Sequence, residues 1–394
     1  MNINAGVGIS YHRNVTVAGQ EAAQQALTEA GIERPDFVFM FASTGYNQQK
    51  LVDIVRETTG YAPLSGCSAW GIIGRDWVSN SHFAVAVMVI SSDELRCSNH
   101  LQTGLKADPH SVGEAIAQDI KPQIASDSLG VFLFADGITI NFDSFVAGLE
   151  TKLNLDVFLP LLGGASGYNP NRKNTYQYYN DQVVSDGVIA TLISGPVNLA
   201  WAVNHGCETI GNERKVTRCE GNIIYEIDDQ PVLEVLKEYL DEKEIEDWNE
   251  AVVNLCLGIK APGYMQDYDE YLIRFLPSKD DATGSVSLQT EILEGTSIWM
   301  TRRDKDKIVD GLDKMAKQIN HQLGDRPGKL VFHFDCFGRG SIFHGEEKFQ
   351  LLERLQKKIG SNIPWLGFYT NGEIAPVGSY NCFHNYTLVL GVIY

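Results

Sequence analysis

Val38-Phe39-Met40-Phe41, Val131-Phe132-Leu133-Phe134 and Val331-Phe332-His333-Phe334 are three near-copies of one apolar strand. Each is followed by a polar loop, a helix-like stretch and a second motif. That motif reads Pro63-Leu64-Ser65-Gly66, Pro160-Leu161-Leu162-Gly163 and Pro364-Trp365-Leu366-Gly367. A further glycine stands four or five residues beyond each: Gly71, Gly167 and Gly372. A module written three times sets the architecture before any single motif is weighed.

Working outward, the spacing of apolar residues predicts amphipathic helices over 18–30, 111–124 and 305–323, ahead of each strand. Ile308, Leu312, Met315 and Ile319 mark the last by spacings of three and four. Helices are also predicted after each strand, over 48–59, 143–153 and 346–359. Proline suits the entry to the next strand, where its missing N–H costs no ladder bond. Beyond the glycine turn, apolar strands are expected at 83–90, 188–193 and 386–393. The module therefore reads helix, strand, helix, strand, turn, strand. Its strand–helix–strand part should be a right-handed parallel unit and its last strand antiparallel. The expected fold class is α/β: mixed sheets flanked by helices.

Between copies two and three lies a β-rich insertion. Strands are predicted at 199–205, 215–219, 223–227, 252–259, 271–276, 286–292 and 297–302, with a helix over 232–240. The expected division is 1–32 as an opening strand and helix, 33–221 as a first half and 222–394 as a second.

At 394 residues the chain exceeds one ordinary core. A formal charge of −18 argues against nucleic acid or anionic membrane as the main partner. Between Glu234 and Glu250 acidic residues dominate, which reads as a solvated helical face or a dock for a basic partner. Met1-Asn2-Ile3-Asn4 lacks the basic start and apolar run of a secretory leader, and no stretch is long and apolar enough for a membrane span. Seven unclustered cysteines suit free thiols in a reducing cytoplasm.

Several segments resemble one family. His205-Gly206-Cys207-Glu208-Thr209-Ile210-Gly211 resembles a segment of FIST-domain proteins, with Gly221-Asn222-Ile223-Ile224-Tyr225-Glu226-Ile227 at the expected distance, and Gly66-Cys67-Ser68-Ala69-Trp70-Gly71 resembles a turn of the N-terminal FIST domain. Tyr271-Leu272-Ile273-Arg274, Gly372-Glu373-Ile374-Ala375-Pro376-Val377-Gly378 and Asn381-Cys382-Phe383-His384 resemble the C-terminal FIST domain. The chain departs from the family pattern at Ile72 or Ile73, one of which replaces the family's glutamate, and at Glu208 and Thr209, where Arg and Pro are frequent. The resemblance implies a sensory protein that binds a small molecule, amino acid-like in the usual suggestion. Its signal would pass to a separate effector, such as a histidine kinase or a cyclic-di-GMP enzyme. One subgroup of the family consists of b-type haem sensors of nitric oxide.

Two readings stand for the glycine turns. Either the fold requires tight turns at Gly66, Gly71, Gly163, Gly167 and Gly372, or their amides line a pocket shared with Cys67, Ser68, Cys207, His205 and Glu373. The turns lead towards strands, and neither Gly-x-Gly-x-x-Gly nor Gly-Lys-Ser/Thr occurs, so a P-loop or dinucleotide site is not expected. Arg339, between Gly338 and Gly340, either forks onto an anion or pairs with Asp335. A thiol enzyme using Cys67 or Cys336 would need an activated thiolate. Structural zinc has no motif here. Haem leaves almost none, and its axial candidates are His205, His344, His384 and His82.

Overall fold

The computed structural model describes residues 3–168, 174–261 and 271–394. Met1 and Asn2, on which the leader reading rested, lie outside the described residues, as does the side chain of Glu250. The first module runs β1 (Ile3–Ser10), α1 (Val15–Ala30), β2 (Phe37–Ser43), α2 (Gln48–Thr58), β3 (Leu64–Ala69), a hairpin of β4 (Ile72–Gly74) and β5 (Trp77–Ser79), and β6 (Val85–Ser92). The second repeats it as β7 (Arg96–Thr103), α3 (Pro109–Ile120), β8 (Ser128–Ala135), α4 (Phe142–Leu153), β9 (Leu161–Ala165), the hairpin β10 (Gln177–Tyr179) and β11 (Gln182–Val184), and β12 (Gly187–Ser194).

The third opens with β13 (Leu199–His205) and is then interrupted. The insertion comprises β14 (Cys207–Glu220), β15 (Ile223–Ile227), β16 (Gln230–Pro231), α5 (Val232–Lys237), α6 (Glu242–Glu246), α7 (Trp248–Asn254), β17 (Cys256–Lys260), β18 (Tyr271–Arg274), β19 (Ser278–Asp280), β20 (Ser285–Ser287) and β21 (Ser297–Arg303). The module resumes with α8 (Lys305–Leu323), β22 (Leu330–Cys336), α9 (Phe337–Gly340), α10 (Glu346–Ile359), β23 (Trp365–Thr370), the hairpin β24 (Glu373–Val377) and β25 (Tyr380–His384), and β26 (Thr387–Ile393).

Each module builds one sheet in the same order: β1-β6-β2-β3, β7-β12-β8-β9 and β13-β26-β22-β23. In each, the Val-Phe-x-Phe strand pairs parallel with the strand after its helix and antiparallel with the returning strand, as the sequence predicts. The hairpins do not stay at home. β4–β5 extends the third sheet, β10–β11 the first and β24–β25 the second. The modules are thus joined by a cyclic exchange of strands.

The pleat sends alternate side chains to opposite faces. Phe39, Phe132 and Phe332 meet on the inner faces, with ring centroids 4.5–6.1 Å apart. Phe41, Phe134 and Phe334 form a second layer at 5.1–6.4 Å. The outer faces bury Val38 and Met40 beneath α1 and α2, and Val131 and Leu133 beneath α3 and α4. Helix starts are set by polar caps. Asn14, Asn47, Asp108, Asn141 and Asp304 each accept a backbone N–H of the first turn.

Two insertion strands differ from expectation. The segment expected to start a strand at 252 is still helical to Asn254, because Ala251, Val252 and Leu255 bury one helical face, and a short apolar run carries no decisive period. The strand expected over 286–292 ends at Ser287; beyond it Leu288 and Ile292 donate to Asn222 and Gly221 instead of a ladder. The division expected at 221/222 falls in the turn between the paired strands β14 and β15.

Candidate functional site

The carboxyl ends of β3, β9 and β23 converge, and there the chain crosses from one sheet to the next. Trp70 donates its amide to the Tyr369 carbonyl, and the Tyr369 amide donates to Gly71. The Gly167 amide donates to Ser68, and the Ala165 amide to Gly372. Ser68 Oγ donates to the Gly167 carbonyl at 2.7 Å and accepts the Tyr176 amide at 2.9 Å. A Cβ at Gly167 would collide with the Trp70 backbone, and one at Gly66 or Gly163 with the neighbouring strand's carbonyl. Gly66, Gly71, Gly163, Gly167, Gly372, Cys67 and Ser68 therefore gather at one end of the fold, where close backbone approach needs the glycines.

Beside these crossings opens a slot of about 240 Å³. Its walls come from all three modules: Trp70, Ser81 and His82 from the first, Tyr168 from the second and Phe337 from the third. Trp70 stacks on Phe337 with centroids 4.5 Å apart and meets Tyr168 at 4.8 Å. The Trp70 indole N–H is buried and has no hydrogen-bond partner among the described residues. The slot thus offers an aromatic wall and a polar rim, the mix that orients small ligands.

Glu373 and the buried histidines lie deeper. Thr370 Oγ1 donates to one Glu373 carboxyl oxygen, and the Thr387 amide to the other at 3.2 Å. Burial pushes this carboxyl well above the usual range. His205 Nδ1 accepts the Cys207 amide at 3.1 Å, and His384 Nε2 lies 3.0 Å from the Ala375 carbonyl oxygen. Both rings are fully buried. Burial drives the His384 ring down to about 3. His344 is exposed beside Glu347.

Of the four haem candidates, His82 lines this slot. Its 240 Å³ is smaller than the ~300–1,000 Å³ pockets that enclose drug-sized ligands. Among the described residues, those lining this slot do not fit a haem, which needs an axial ligand within an apolar enclosure. Among the described residues no group of three or more His, Cys, Asp or Glu could hold a metal ion. Burial pushes the Cys67 and Cys336 thiols upward. Cys207 also rises, chiefly through its hydrogen bond with Cys256 and then through burial. These are the opposite of activated thiolates.

Arg339 pairs with Asp335, its Nη1 donating to both carboxylate oxygens at 2.9 and 3.1 Å. It also lines a second, small cavity with His333, Asp335, Lys348 and Tyr369. The residue-type pattern missed Trp70, Tyr168 and Phe337 as a group, because they are far apart in sequence and only the crossing of the modules assembles them.

The fold and these sites define an α/β protein of three repeated modules, with a slot of small-molecule size at their junction. The chain belongs to the FIST family: residues 36–230 match the FIST N domain and residues 233–376 the FIST C domain. FIST domains are small-ligand sensory domains of signalling. An uncharacterized protein of Mycobacterium tuberculosis is 27% identical over 97% of both chains. One of Mycobacterium bovis is 25% identical, over 97% of this chain and 96% of its own. An uncharacterized protein of Methanocaldococcus jannaschii is 25% identical, over 77% of this chain and 60% of its own. Among solved structures a chorismatase aligns over 100% of this chain and 98% of its own, with 7% identity and a TM-score of 0.39. A cyanuric acid hydrolase of A. caulinodans aligns over 49% and 71%, with 12% identity and a TM-score of 0.26. Neither structural likeness carries an argument about chemistry. No helix among the described residues is long and apolar enough to cross a membrane.

Proposed function

We propose that this protein is a non-catalytic sensor that binds a fragment-sized molecule in the slot between Trp70, Tyr168 and Phe337 and passes the signal to a separate effector in the cytoplasm. The observation that carries the reading is that one small slot is walled by all three modules. A ligand there touches each module at its crossing, so it biases how they sit together, provided it binds two arrangements with different affinity. The aromatic wall favours a planar apolar face. The raised thiols support a sensor over a thiol enzyme.

The reading is tested by ligand-detected NMR with a library of planar fragments such as indoles, benzamides and pyrimidines. Binders should shift the Trp70 indole N–H resonance and lose at least tenfold in affinity in Trp70→Ala, while far-ultraviolet circular dichroism confirms that the variant folds. Binders that map away from Trp70 and bind Trp70→Ala unchanged would defeat it.

A further inference from the structure

The three modules share a fold but not the chemistry beneath their helices. Strand register makes Met40, Leu133 and His333 equivalent, facing Gly66, Gly163 and Gly367. Two residues on, Ala42, Ala135 and Asp335 are equivalent, facing Ser68, Ala165 and Tyr369. Modules one and two keep these helix-facing positions small or apolar. The third alone buries a histidine and an aspartate there, adds Arg339 from α9 and Lys348 from α10, and leaves a cavity of about 20 Å³ among them. A break in a rule that two sister modules obey is where function is sought.

The donors in that cavity exceed their partners. Arg339 is 1% exposed, yet among the described residues its Nε and Nη2 have no hydrogen-bond partner. His333 is 4% exposed; its Nδ1 accepts the Trp365 indole N–H at 3.2 Å, so the proton sits on Nε2, which has no hydrogen-bond partner among the described residues and stands 3.8 Å from Asp335. Lys348 Nζ stands 5.3 Å from the Tyr369 ring centroid, on the same cavity. Arg339 and Lys348 bring two positive charges and Asp335 one negative. Burial lowers the pKa of His333, which disfavours a further positive charge there, and Glu373 does not line this cavity. Arg339 and Asp335 balance one another in the interior, and half-buried Lys348 adds one further positive charge to the cavity wall.

We propose that the cavity between α10 and the third sheet is a binding site for a small monovalent anion, held by Arg339, His333 and Lys348. The volume suits a halide or a single small oxyanion, since a water-sized occupant needs roughly 10–15 Å³ on the same measure. The site has a built-in connection to the slot. The four-residue α9 carries Phe337 into the slot and Arg339 into the cavity. Tyr369 walls the cavity with its ring and holds Trp70 and Gly71 with its backbone.

The experiment uses the wild-type chain. Crystals soaked in bromide should show an anomalous peak in the cavity. In solution, bromide, chloride or formate should raise Tm saturably by about 2 °C or more over gluconate at matched ionic strength. Lys348→Gln, at a half-buried site, should fold and lose most of that rise. A response to formate without bromide would assign the site to a carboxylate. Equal Tm in all salts, with no bromide peak, would mean that water fills the cavity and would overturn the proposal. The slot is read out separately by Trp70, so failure here leaves the sensor reading standing.

Discussion

At the scale of single residues, the glycines and the buried acid are where the account is most exposed. Gly167→Ala must push the Trp70 backbone aside and should lose at least about 2 kcal/mol in denaturant unfolding, as overpacking does. Gly221→Ala meets nothing within 4 Å and should lose only the roughly 1 kcal/mol of its left-handed turn. Glu373 and His384 have opposite pH signatures. Glu373 is raised by burial, so the unfolded chain gives up its proton first, and stability falls as pH rises above about 4.3. His384 is lowered to about 3, so the unfolded chain takes up a proton first, and stability falls as pH drops below about 6.5. Between those limits the two slopes oppose. Glu373→Gln should make stability rise with pH there, and His384→Gln should make it fall, each by up to about 1.4 kcal/mol per unit. Identical slopes in both variants would contradict these burial-driven shifts. The histidine at the centre of the anion site stands in the quoted strand itself, as Val331-Phe332-His333-Phe334. Its type was visible; that its position faces helices rather than the axis became visible only with the fold.

At the scale of elements, periodicity was a good guide where one face is buried. The helices α8 and α10 match the expected spans at both ends, since their apolar stripes are regular. The exchanged hairpins were not legible. β4, β5, β10 and β11 have three residues each, too few to carry a period, and their partners lie in other modules. Edge strands are closed by side chains from the helices. Gln25 and Glu29 accept the Ile9 and Val7 amides on β1, and Gln322 Oε1 accepts the Trp201 amide on β13. Such caps blunt an edge that would otherwise recruit another strand. Gln322→Ala should leave that amide unpaired and speed its hydrogen exchange. Between α8 and α10, hydrogen bonds from Arg354 and Lys358 hold the Asp313 carboxyl down at about 2. Its contribution is present above about pH 4 and fades as pH falls towards 2. Asp313→Asn should cost at most about 1 kcal/mol at pH 7, because the cluster is partly open to solvent.

At the scale of the whole molecule, exchanged hairpins make the modules interdependent. The second sheet takes β24 and β25 from the third module, and the third takes β4 and β5 from the first. Fragments 1–221 and 222–394 expressed apart should therefore stay largely unfolded by circular dichroism and regain structure when mixed. Two independently folded fragments would contradict the exchange. The same interdependence gives the slot its reach, because a ligand wedged among three crossings meets every module at once. The most direct test is hydrogen-exchange mass spectrometry with and without the tightest fragment found at Trp70. Added protection is expected in peptides from all three crossings, around Trp70, Gly167 and Asn371. Protection confined to the peptide that holds Trp70, with the other two crossings unchanged, would contradict it.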